Sequence, residues 1–517
     1  MEEMSRCLSR RELLAALLLF ALLTLLTPSA LGAHVAQMSS RELAAASPTV
    51  VVAVVEGREV RWNEKHTLLM TDYTLRVEER LRGEAPERFT LTMPGGTLGD
   101  ITDETCTTVH LAPGVRYLLF LGDLDRPSLS PIVGARQGIF RDRQGFGEIV
   151  AAARTLVNKT LLAPRPALQE DASLPAKTWV PPSPDGLRSI RAPFVYLQPA
   201  QRPIVVDPLP PGSPFSPADQ HQLAYWNVYA GDLFRVSANP SETWAFGNDV
   251  FDFAGFPNDQ QMTEQFKVTW EDIGSNVLGV ALVRRRNGAV VEADVALNPA
   301  RAWTLDDIEA TNRGGAYSFK EVMTHEIGHM WGLRHPFESQ DAWWDSVMQY
   351  KSKVFYLGTI YADDAMAVRS AFPPGVAIRD GLVSSYVTYW ENQDAELATY
   401  DPAVPRSPNA KAGGGFNLNG PIKIENVGTV PLANPKVEVY LVPKRFSFDG
   451  AVLLKRIRVQ GTLKPGATRQ VNVGKVTVPA KVPPGTYWLG YYLRDPKDRY
   501  PANNGAWSNA DVTLTVK

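Results

Sequence analysis

The sequence predicts a multidomain protein in which an α+β domain lies between two β-rich units. At 517 residues the chain exceeds one ordinary core, and about three domains are expected. Short runs that alternate apolar and polar residues fill residues 34–160 and again residues 416–517. Between them, residues 318–332 carry a helical pattern with its own start and stop signals. We therefore predict an N-terminal all-β domain, a central α+β domain and a C-terminal β-sandwich.

The first 33 residues have the three-part form of a secretory signal peptide. Three arginines precede an apolar run over residues 13–26, and the small residues Ala30, Gly32 and Ala33 follow. A membrane anchor is the alternative, but the run is shorter than the ~20 apolar residues that cross a bilayer. We therefore predict cleavage near residues 30–33 and a secreted protein, extracellular or periplasmic, whose mature chain has no membrane span.

Residues 34–160 are predicted to form strands joined by glycine and proline turns. Val50–Val55 is a short apolar run and Thr71–Glu79 alternates apolar and polar residues; with Arg88–Met93 and Arg116–Leu121 they are the four predicted strands. A small barrel or sandwich fits this pattern, and an OB-like barrel is one form of it. Residues 161–212 are rich in proline and are predicted to be an extended linker.

Residues 213–377 are predicted to be the central domain. A helix is expected from Ser216 through Trp226, and strands at Phe266–Trp270, Leu278–Arg284 and Val290–Ala296. The dipeptide Asn287-Gly288 separates the last two strands and is a strong signal for a two-residue hairpin.

The central domain carries the sequence H-E-x-x-H-x-x-G-x-x-H over residues 325–335, which holds three of the seven histidines of the chain. Positions i and i+4 of a helix share one face, so His325 and His329 can point at one metal ion. Glu326 is about 100° around the helix from His325, where it can reach a metal-bound water. Gly332 is expected to end the helix, so that the chain can turn back and deliver His335 as a third ligand.

The start of this helix is also predicted. Ser318 and Glu321 have the spacing of a capping box, in which side chains satisfy free backbone N–H groups. Apolar residues then form a stripe at positions 319, 322, 323 and 330. The same helix is therefore expected to contribute to the core and to the metal site.

A second motif, Ser-Val-Met-Gln-Tyr at residues 346–350, follows the histidines. The two motifs together resemble the metzincin clan of zinc metalloproteases with its Met-turn, and within it the matrixin-like peptidases. Residues 291–298 resemble the last strand before the active-site helix, and residues 361–373 resemble the closing helix. The resemblance covers residues 213–375. It implies a twisted sheet with long helices, and an edge strand that binds peptide substrate as an added strand; residues 278–284 and 290–296 both lie near that edge.

The resemblance also implies the chemistry. One catalytic zinc would be bound by His325, His329 and His335, with Glu326 as the general base towards a zinc-activated water. Met348 would form an apolar floor beneath the histidines without binding the metal. Tyr350 would be structural, or would assist the reaction as a tyrosine does in related families. The expected activity is that of a secreted zinc metalloendopeptidase that acts on proteins or peptides.

Two features of the family have only candidate counterparts here. Cys106 is the one cysteine left after signal-peptide removal, and it could bind the zinc in a latent form. Its surroundings are not the family's cysteine-switch motif, which favours an ordinary cysteine near a β-core. For calcium, which is common in the family, the candidates are Asp249, Asp252 and Asp259, chosen only as acidic loop residues.

The C-terminal part begins with a connection over residues 378–415, followed by a β-rich unit over residues 416–517. Alternating runs predict strands at Pro421–Glu425, Lys436–Tyr440, Gln470–Val473 and Tyr487–Tyr492. The unit resembles the CARDB-type immunoglobulin-like modules of bacterial exported proteins. It could bind a cell-surface or matrix ligand, or it could only stabilise or separate its neighbours.

Several alternatives to a protease are open from the sequence. A closed structural metal site would need a fourth protein ligand and gives no role to Glu326. A surface- or matrix-binding exported protein with a latent or minor protease domain belongs to another functional class. The proline-rich linker could itself lie along the cleft as an inhibitory segment. The net charge of −2 gives no basic surface for nucleic acid, so no nucleic-acid partner is expected.

Overall fold

The structure is a computed structural model. It describes residues 34–36, 38, 40–105, 109–125, 130–143, 145–161, 204–207, 215–230, 234–236, 252–256, 262, 270, 277–305, 316–330, 332–333, 347–348, 351–352, 359–371, 375–385, 390–393, 400–403, 409–444, 447–507 and 514–516. Strands greatly outnumber helices in these ranges, and the strands form several separate sheets. None of the helices described there combines the length and the apolar character needed to cross a bilayer.

The N-terminal region is built mainly of strands, with two helices. Its elements are β1 (His34–Ala36), α1 (Ser40–Ala46), β2 (Thr49–Trp62), β3 (Leu69–Arg82), β4 (Arg88–Pro94), β5 (Gly96–Leu98), β6 (Ile101–Thr105), β7 (Arg116–Leu121), β8 (Ile139–Arg141) and α2 (Phe146–Leu161). Five of the strands pair antiparallel in the order β4-β3-β2-β7-β8. The two helices cover one face of this sheet, and a second apolar cluster covers the other.

All four segments predicted as strands in the N-terminal region are strands in the structure. Val50–Val55 lies in β2, Thr71–Glu79 in β3, Arg88–Met93 in β4, and Arg116–Leu121 is β7 itself. Alternation of buried and exposed side chains in β3 matches the alternation that predicted it. The strands form an open series of pairs with β4 and β8 at its ends.

Among the described residues of the central region, three helices and eight strands can be given bounds. They are β9 (Ile204–Asp207), α3 (Ser216–Ala230), β10 (Phe234–Val236), β11 (Asp252–Gly255), β12 (Val277–Arg286), β13 (Ala289–Leu297), β14 (Trp303–Thr304), β15 (Tyr317–Ser318), α4 (Phe319–Met330), β16 (Lys351–Ser352) and α5 (Ala362–Ala371). Strands β10, β9, β11 and β13 are parallel neighbours in that order, and β12 pairs antiparallel with β13. Asn287 and Gly288 join β12 to β13 with φ values of 51° and 83°, which confirms the predicted hairpin.

The central sheet crosses the domain boundaries that we predicted. Strand β6 of the N-terminal region pairs antiparallel with β12, and β1 pairs with both β12 and β16, so the described sheet has nine strands. Strand β9 lies within the predicted linker 161–212 and pairs with β10 and β11. Residues 204–207 are therefore a strand and not part of an extended linker, because a strand in the middle of a sheet is held by backbone hydrogen bonds on both edges. Of the predicted strand Phe266–Trp270, only Trp270 is among the described residues, and the structure makes it helical, so the strand prediction is wrong at that position.

In the described residues of the C-terminal region the regular elements are strands, apart from one short 3-10 helix at Pro501–Asn503. They are β17 (Leu382–Ser385), β18 (Trp390–Gln393), β19 (Tyr400–Ala403), β20 (Asn409–Ala410), β21 (Gly415–Glu425), β22 (Leu432–Ala433), β23 (Lys436–Val442), β24 (Val452–Arg458), β25 (Thr462–Leu463), β26 (Thr468–Thr477), β27 (Gly485–Arg494), β28 (Gly505–Trp507) and β29 (Leu514–Val516). The sheet β17-β21-β26 and the sheet containing β27-β23-β24 share one apolar core. The four predicted strands lie in β21, β23, β26 and β27.

The C-terminal sheets are packed against the central region. Leu382 of β17 and Val427 belong to the same buried cluster as the core of the central domain. Glu425 accepts a 2.9 Å hydrogen bond from the backbone N–H of Ala362 at the start of α5. Arg369 of α5 donates a 2.6 Å hydrogen bond to the carbonyl oxygen of Val427. Part of the predicted connection 378–415 is therefore a packed strand, because burying Leu382 against the central core fixes it there.

Candidate active site

Helix α4 begins where its sequence predicts. Ser318 precedes the first helical residue, and its hydroxyl accepts a 3.3 Å hydrogen bond from the backbone N–H of Glu321. The predicted apolar stripe is fully buried: Phe319, Val322 and Met323 each have no solvent exposure. The helix is therefore anchored at its start and along one face, which holds its remaining side chains in fixed directions.

The end of helix α4 positions the carbonyl group of Leu333, which contacts the ring of His329. Gly332 has φ of 82°, a conformation that favours glycine. Its N–H donates to the carbonyl of His329 at 2.7 Å, and the N–H of Leu333 donates to the carbonyl of Gly328 at 3.0 Å. This pair of bonds is a Schellman motif. It turns the chain so that the carbonyl oxygen of Leu333 faces back towards the helix.

Three side chains of helix α4 form a buried cluster of metal-capable groups. One ligand atom from each of His325, Glu326 and His329 lies within 4.8 Å of the other two. The exposed fractions of these side chains are 0%, 0% and 2%. Within the described ranges this is the one group of three or more histidine, cysteine or acidic residues that meets this spacing. The predicted pairing of positions i and i+4 on one helix face is thus realised.

The two imidazoles are oriented by backbone carbonyls. His325 places Nδ1 2.7 Å from the carbonyl oxygen of Val347, and His329 places Nδ1 2.8 Å from that of Leu333. A carbonyl oxygen only accepts hydrogen bonds, so each Nδ1 carries a proton, and the neutral form of each ring presents a lone pair at Nε2. The two Nε2 atoms are 3.1 Å apart. Two lone pairs at this distance repel each other unless a positive charge, a proton or a metal ion, lies between them.

Met348 packs directly against helix α4. It has no solvent exposure and belongs to the central core. A Cβ atom added to Gly328 would lie 2.1 Å from its sulfur and 3.0 Å from a ring carbon of Trp226. Glycine at position 328 is therefore required by close packing between the two histidines. The sequence motif leaves this position open, so the role of Gly328 was not predicted.

Asp364 of helix α5 ties the segment of Met348 to the rest of the domain. Its carboxylate accepts a 2.8 Å hydrogen bond from the N–H of Val347 and a 3.0 Å bond from that of Tyr361. The carbonyl of Val347 in turn orients His325. Burial, with the negative charges of Glu425 and Asp364, holds the pKa of Tyr361 well above its usual value, so its hydroxyl stays neutral. Asp364 was also missed from sequence, where it appeared only as part of the closing helix.

Glu326 lies against the backbone of strand β12. A Cβ atom added to Gly279 would be 3.0 Å from Oε1 of Glu326 and 3.1 Å from a methyl carbon of Val322. Strand β12 is thus the strand that runs beside the carboxylate. Two segments are predicted to lie near the substrate-binding edge. Residues 278–284 lie in β12, and residues 290–296 lie in its neighbour β13.

Helix α3 supports the opposite side of helix α4. The indole N–H of Trp226 donates a 2.9 Å hydrogen bond to the carbonyl oxygen of Thr324, and Thr324 also contacts Gln222 through their side-chain oxygens at 2.7 Å. Trp226 has no solvent exposure. This buried contact fixes the turn of helix that immediately precedes His325.

Other predicted site residues lie outside the described residues. These are His335, Tyr350, Cys106, Asp249 and Asp259. Asp252 is the first residue of β11, where its Cα pairs with Val206. The described part of the site is therefore two histidines, one glutamate and the buried methionine.

Comparison with protein-family models and with curated proteins gives no match to this chain.

Proposed function

We propose that the protein is a secreted zinc-dependent metalloendopeptidase with His325 and His329 as zinc ligands and Glu326 as general base. The observation that supports this most directly is the convergence of two Nε2 lone pairs at 3.1 Å beside a buried glutamate. His335 is the third ligand by resemblance to the metzincin motif.

The donor set fits zinc. Zinc binds imidazole nitrogens at about 2.0–2.1 Å in a tetrahedral arrangement, which separates two ligand nitrogens by roughly 3.3 Å. The observed separation of 3.1 Å is close to that value. Each histidine also donates its other N–H to a carbonyl oxygen, the usual way in which a metal-binding imidazole is held. Three neutral imidazoles would leave one coordination position open for chemistry.

The chain's own residues have distinct tasks in peptide hydrolysis. Zinc, when bound, supplies a Lewis acid that polarises the scissile carbonyl and lowers the pKa of water. Glu326 takes the proton of the attacking water on its carboxylate and passes it to the nitrogen of the leaving amine. The contact of Glu326 with Gly279 brings this proton transfer next to strand β12. A peptide lying along β12 would therefore have its backbone beside the general base.

The arrangement of elements agrees with the metzincin-like domain that the motifs imply. Four parallel strands, β10, β9, β11 and β13, are followed in the sheet by the antiparallel strand β12; helix α4 carries the motif, and α5 follows it in the chain. Met348, which follows the histidines in the sequence, packs its side chain against helix α4 at Gly328. We also propose export, on the basis of the signal-peptide pattern, and an immunoglobulin-like C-terminal module. The packing of that module on α5 favours a stabilising role for it over a purely adhesive one.

The test compares the chain lacking its signal peptide with its Glu326→Ala and His329→Ala variants. Bound zinc is measured by atomic absorption, and cleavage of unfolded casein is measured with and without a chelator. We expect about one zinc and chelator-sensitive cleavage in the parent, zinc without cleavage in Glu326→Ala, and neither in His329→Ala. Glu148→Ala, a change at an exposed residue of α2, is the matched control and should behave as the parent.

Two outcomes would contradict the proposal. Zinc bound equally by all variants, with no cleavage by any of them, would indicate a structural metal site or a binding protein. Undiminished cleavage by Glu326→Ala would remove the general base from the mechanism.

A further inference from the structure

Two segments of the N-terminal region pair with the edge of strand β12 that faces away from β13. Strand β6 pairs with residues 282–286, from Leu282 opposite Thr105 to Arg286 opposite Ile101. Strand β1 pairs with the remaining part, with His34 opposite Gly279 and Val35 opposite Val277. The two segments divide the edge between them. β1 pairs with the part beside Glu326, because a Cβ atom added to Gly279 would lie 3.0 Å from Oε1 of that carboxylate.

Strand β6 is a permanent part of the sheet. Arg284 and Asp103 form a bidentate ion pair with two 2.7 Å bonds, and their side chains are 3% and 0% exposed. Arg285 forms a second, nearly buried ion pair with Glu104. The N–H of Leu69 donates a further 2.8 Å bond to Asp103. Separating these charges would leave them buried without their partners, which is strongly unfavourable.

Strand β1 pairs with β12 over a shorter stretch than β6 does. It has three residues, two register pairs to β12 and an irregularity between them. On its other edge it pairs in parallel with β16, where Val35 is opposite Lys351 and Ala36 is opposite Ser352. Strand β16 begins three residues after Met348 in the sequence. β1 therefore fills a slot between the strand beside the general base and the strand that follows the buried methionine.

We propose that this slot is the binding site for an extended peptide and that β1 occupies it in the resting protein. The peptide would run in the direction of β1, antiparallel to β12 and parallel to β16, and would have to displace β1 to bind. The inference rests on the proposed function for the statement that the bound peptide is a substrate. β1 and an added peptide strand would use the same backbone groups of β12 and β16, so they would compete for one slot whether or not the peptide is cleaved.

Competition of this kind reduces apparent affinity without changing the site itself. If the slot is free in only a fraction of the molecules, the apparent dissociation constant rises by the inverse of that fraction. Weakening β1 should therefore tighten peptide binding and lower KM, with kcat unchanged. A purely structural role for β1 predicts the opposite: loss of stability, or of kcat, without any gain in affinity.

The test weakens β1 with Val35→Pro. Proline has no N–H and is not tolerated in a strand with neighbours on both edges. Val35→Ile keeps a β-branched side chain and is the matched control. Both changes are placed in zinc-loaded Glu326→Ala protein, so that binding is measured without cleavage. The probe is a fluorescein-labelled synthetic peptide with the sequence of residues 34–40, and its binding is followed by fluorescence anisotropy.

We expect the Val35→Pro protein to bind the peptide at least about tenfold more tightly than the parent and the Val35→Ile control. Equal affinity in all three proteins, or no binding to a Val35→Pro protein that keeps its circular dichroism spectrum, would overturn the inference. If Val35→Pro does not fold, replacing residues 34–36 by three glycines carries the same expectation.

A second readout separates this inference from the proposed function. In protein that retains Glu326, Val35→Pro should lower KM for unfolded casein about tenfold at unchanged kcat. Tighter peptide binding with no cleavage by any variant would support the slot and refute the protease. Cleavage with unchanged KM and unchanged peptide affinity would support the protease and refute the role of β1.

Discussion

The contact between Gly328 and Met348 gives a prediction with two opposing terms. Replacing glycine by alanine inside a helix stabilises it by about 1 kcal/mol. In Gly328→Ala, however, the new Cβ would lie 2.1 Å from the sulfur of Met348 and 3.0 Å from a ring carbon of Trp226. Ordinary carbon contacts lie near ~3.5–4.0 Å, so the sulfur must move by more than an ångström within a fully buried site.

The steric term should exceed the helical term. Overpacking of a well-packed core costs about 1–3 kcal/mol, so the net effect of Gly328→Ala is a destabilisation of about 1–2 kcal/mol. The same movement would displace Val347, whose carbonyl orients His325. Loss of such an orienting contact weakens metal binding by about 10- to 100-fold. Urea unfolding measures the first effect, and competition with a chromogenic zinc chelator measures the second.

A double-mutant cycle with Met348→Ala tests the cause. The single change Met348→Ala leaves a cavity and should cost about 2–5 kcal/mol. In the double variant the added methyl group enters that cavity. The loss of unfolding free energy in the double variant should therefore be smaller, by at least about 1 kcal/mol, than the sum of the losses in the two single variants. Additive costs, within about 0.5 kcal/mol, would refute the packing argument. Gly147→Ala in helix α2 is the matched control, because an added Cβ there meets nothing within 4 Å, and no loss of stability is expected.

Three further predictions follow from buried groups outside the histidine cluster. Arg284→Met leaves the carboxylate of Asp103 buried without its ion-pair partner and should lower the free energy of urea unfolding by about 3–5 kcal/mol. Combining Arg284→Met with Asp103→Leu removes both charges and should cost much less, and equal losses in the two proteins would contradict this. A chain ending at residue 377 lacks Glu425, which accepts a hydrogen bond from the first residue of α5, and lacks the C-terminal residues of the central core. Its thermal unfolding temperature should therefore fall. An unchanged temperature would show that the C-terminal module does not stabilise the central region. Burial and the charge of Asp498 raise the pKa of Asp380 to about 7, so the folded state binds more protons than the unfolded state between about pH 4 and pH 7, and stability falls as the pH rises through that window. Asp380→Asn should remove up to about 4 kcal/mol of this pH dependence, and parallel stability curves for the two proteins from pH 4 to pH 8 would refute it.

Local chemistry determined the parts of the site that the sequence predicted. A hydroxyl at residue 318 caps the helix, a glycine at residue 332 ends it, and the spacing of four residues places two histidines on one face. Each of these depends on groups within one or two turns of the chain. The hairpin at Asn287 and Gly288 is predictable for the same reason, because both residues accept the positive φ values that its turn requires.

Only the tertiary structure decided which distant segments meet. Asp103 and Arg284 are 181 positions apart, and nothing in their local sequence marks them as a buried pair that joins β6 to β12. Gly328 is an unspecified position of the motif until Met348 is packed against it. In the same way, composition does not indicate that β1, β6 and β9 complete a sheet formed mainly by later residues. Periodicity reports which face of an element is apolar, whereas strand order and charge pairing depend on three-dimensional packing, and that packing determines what occupies the edge of β12.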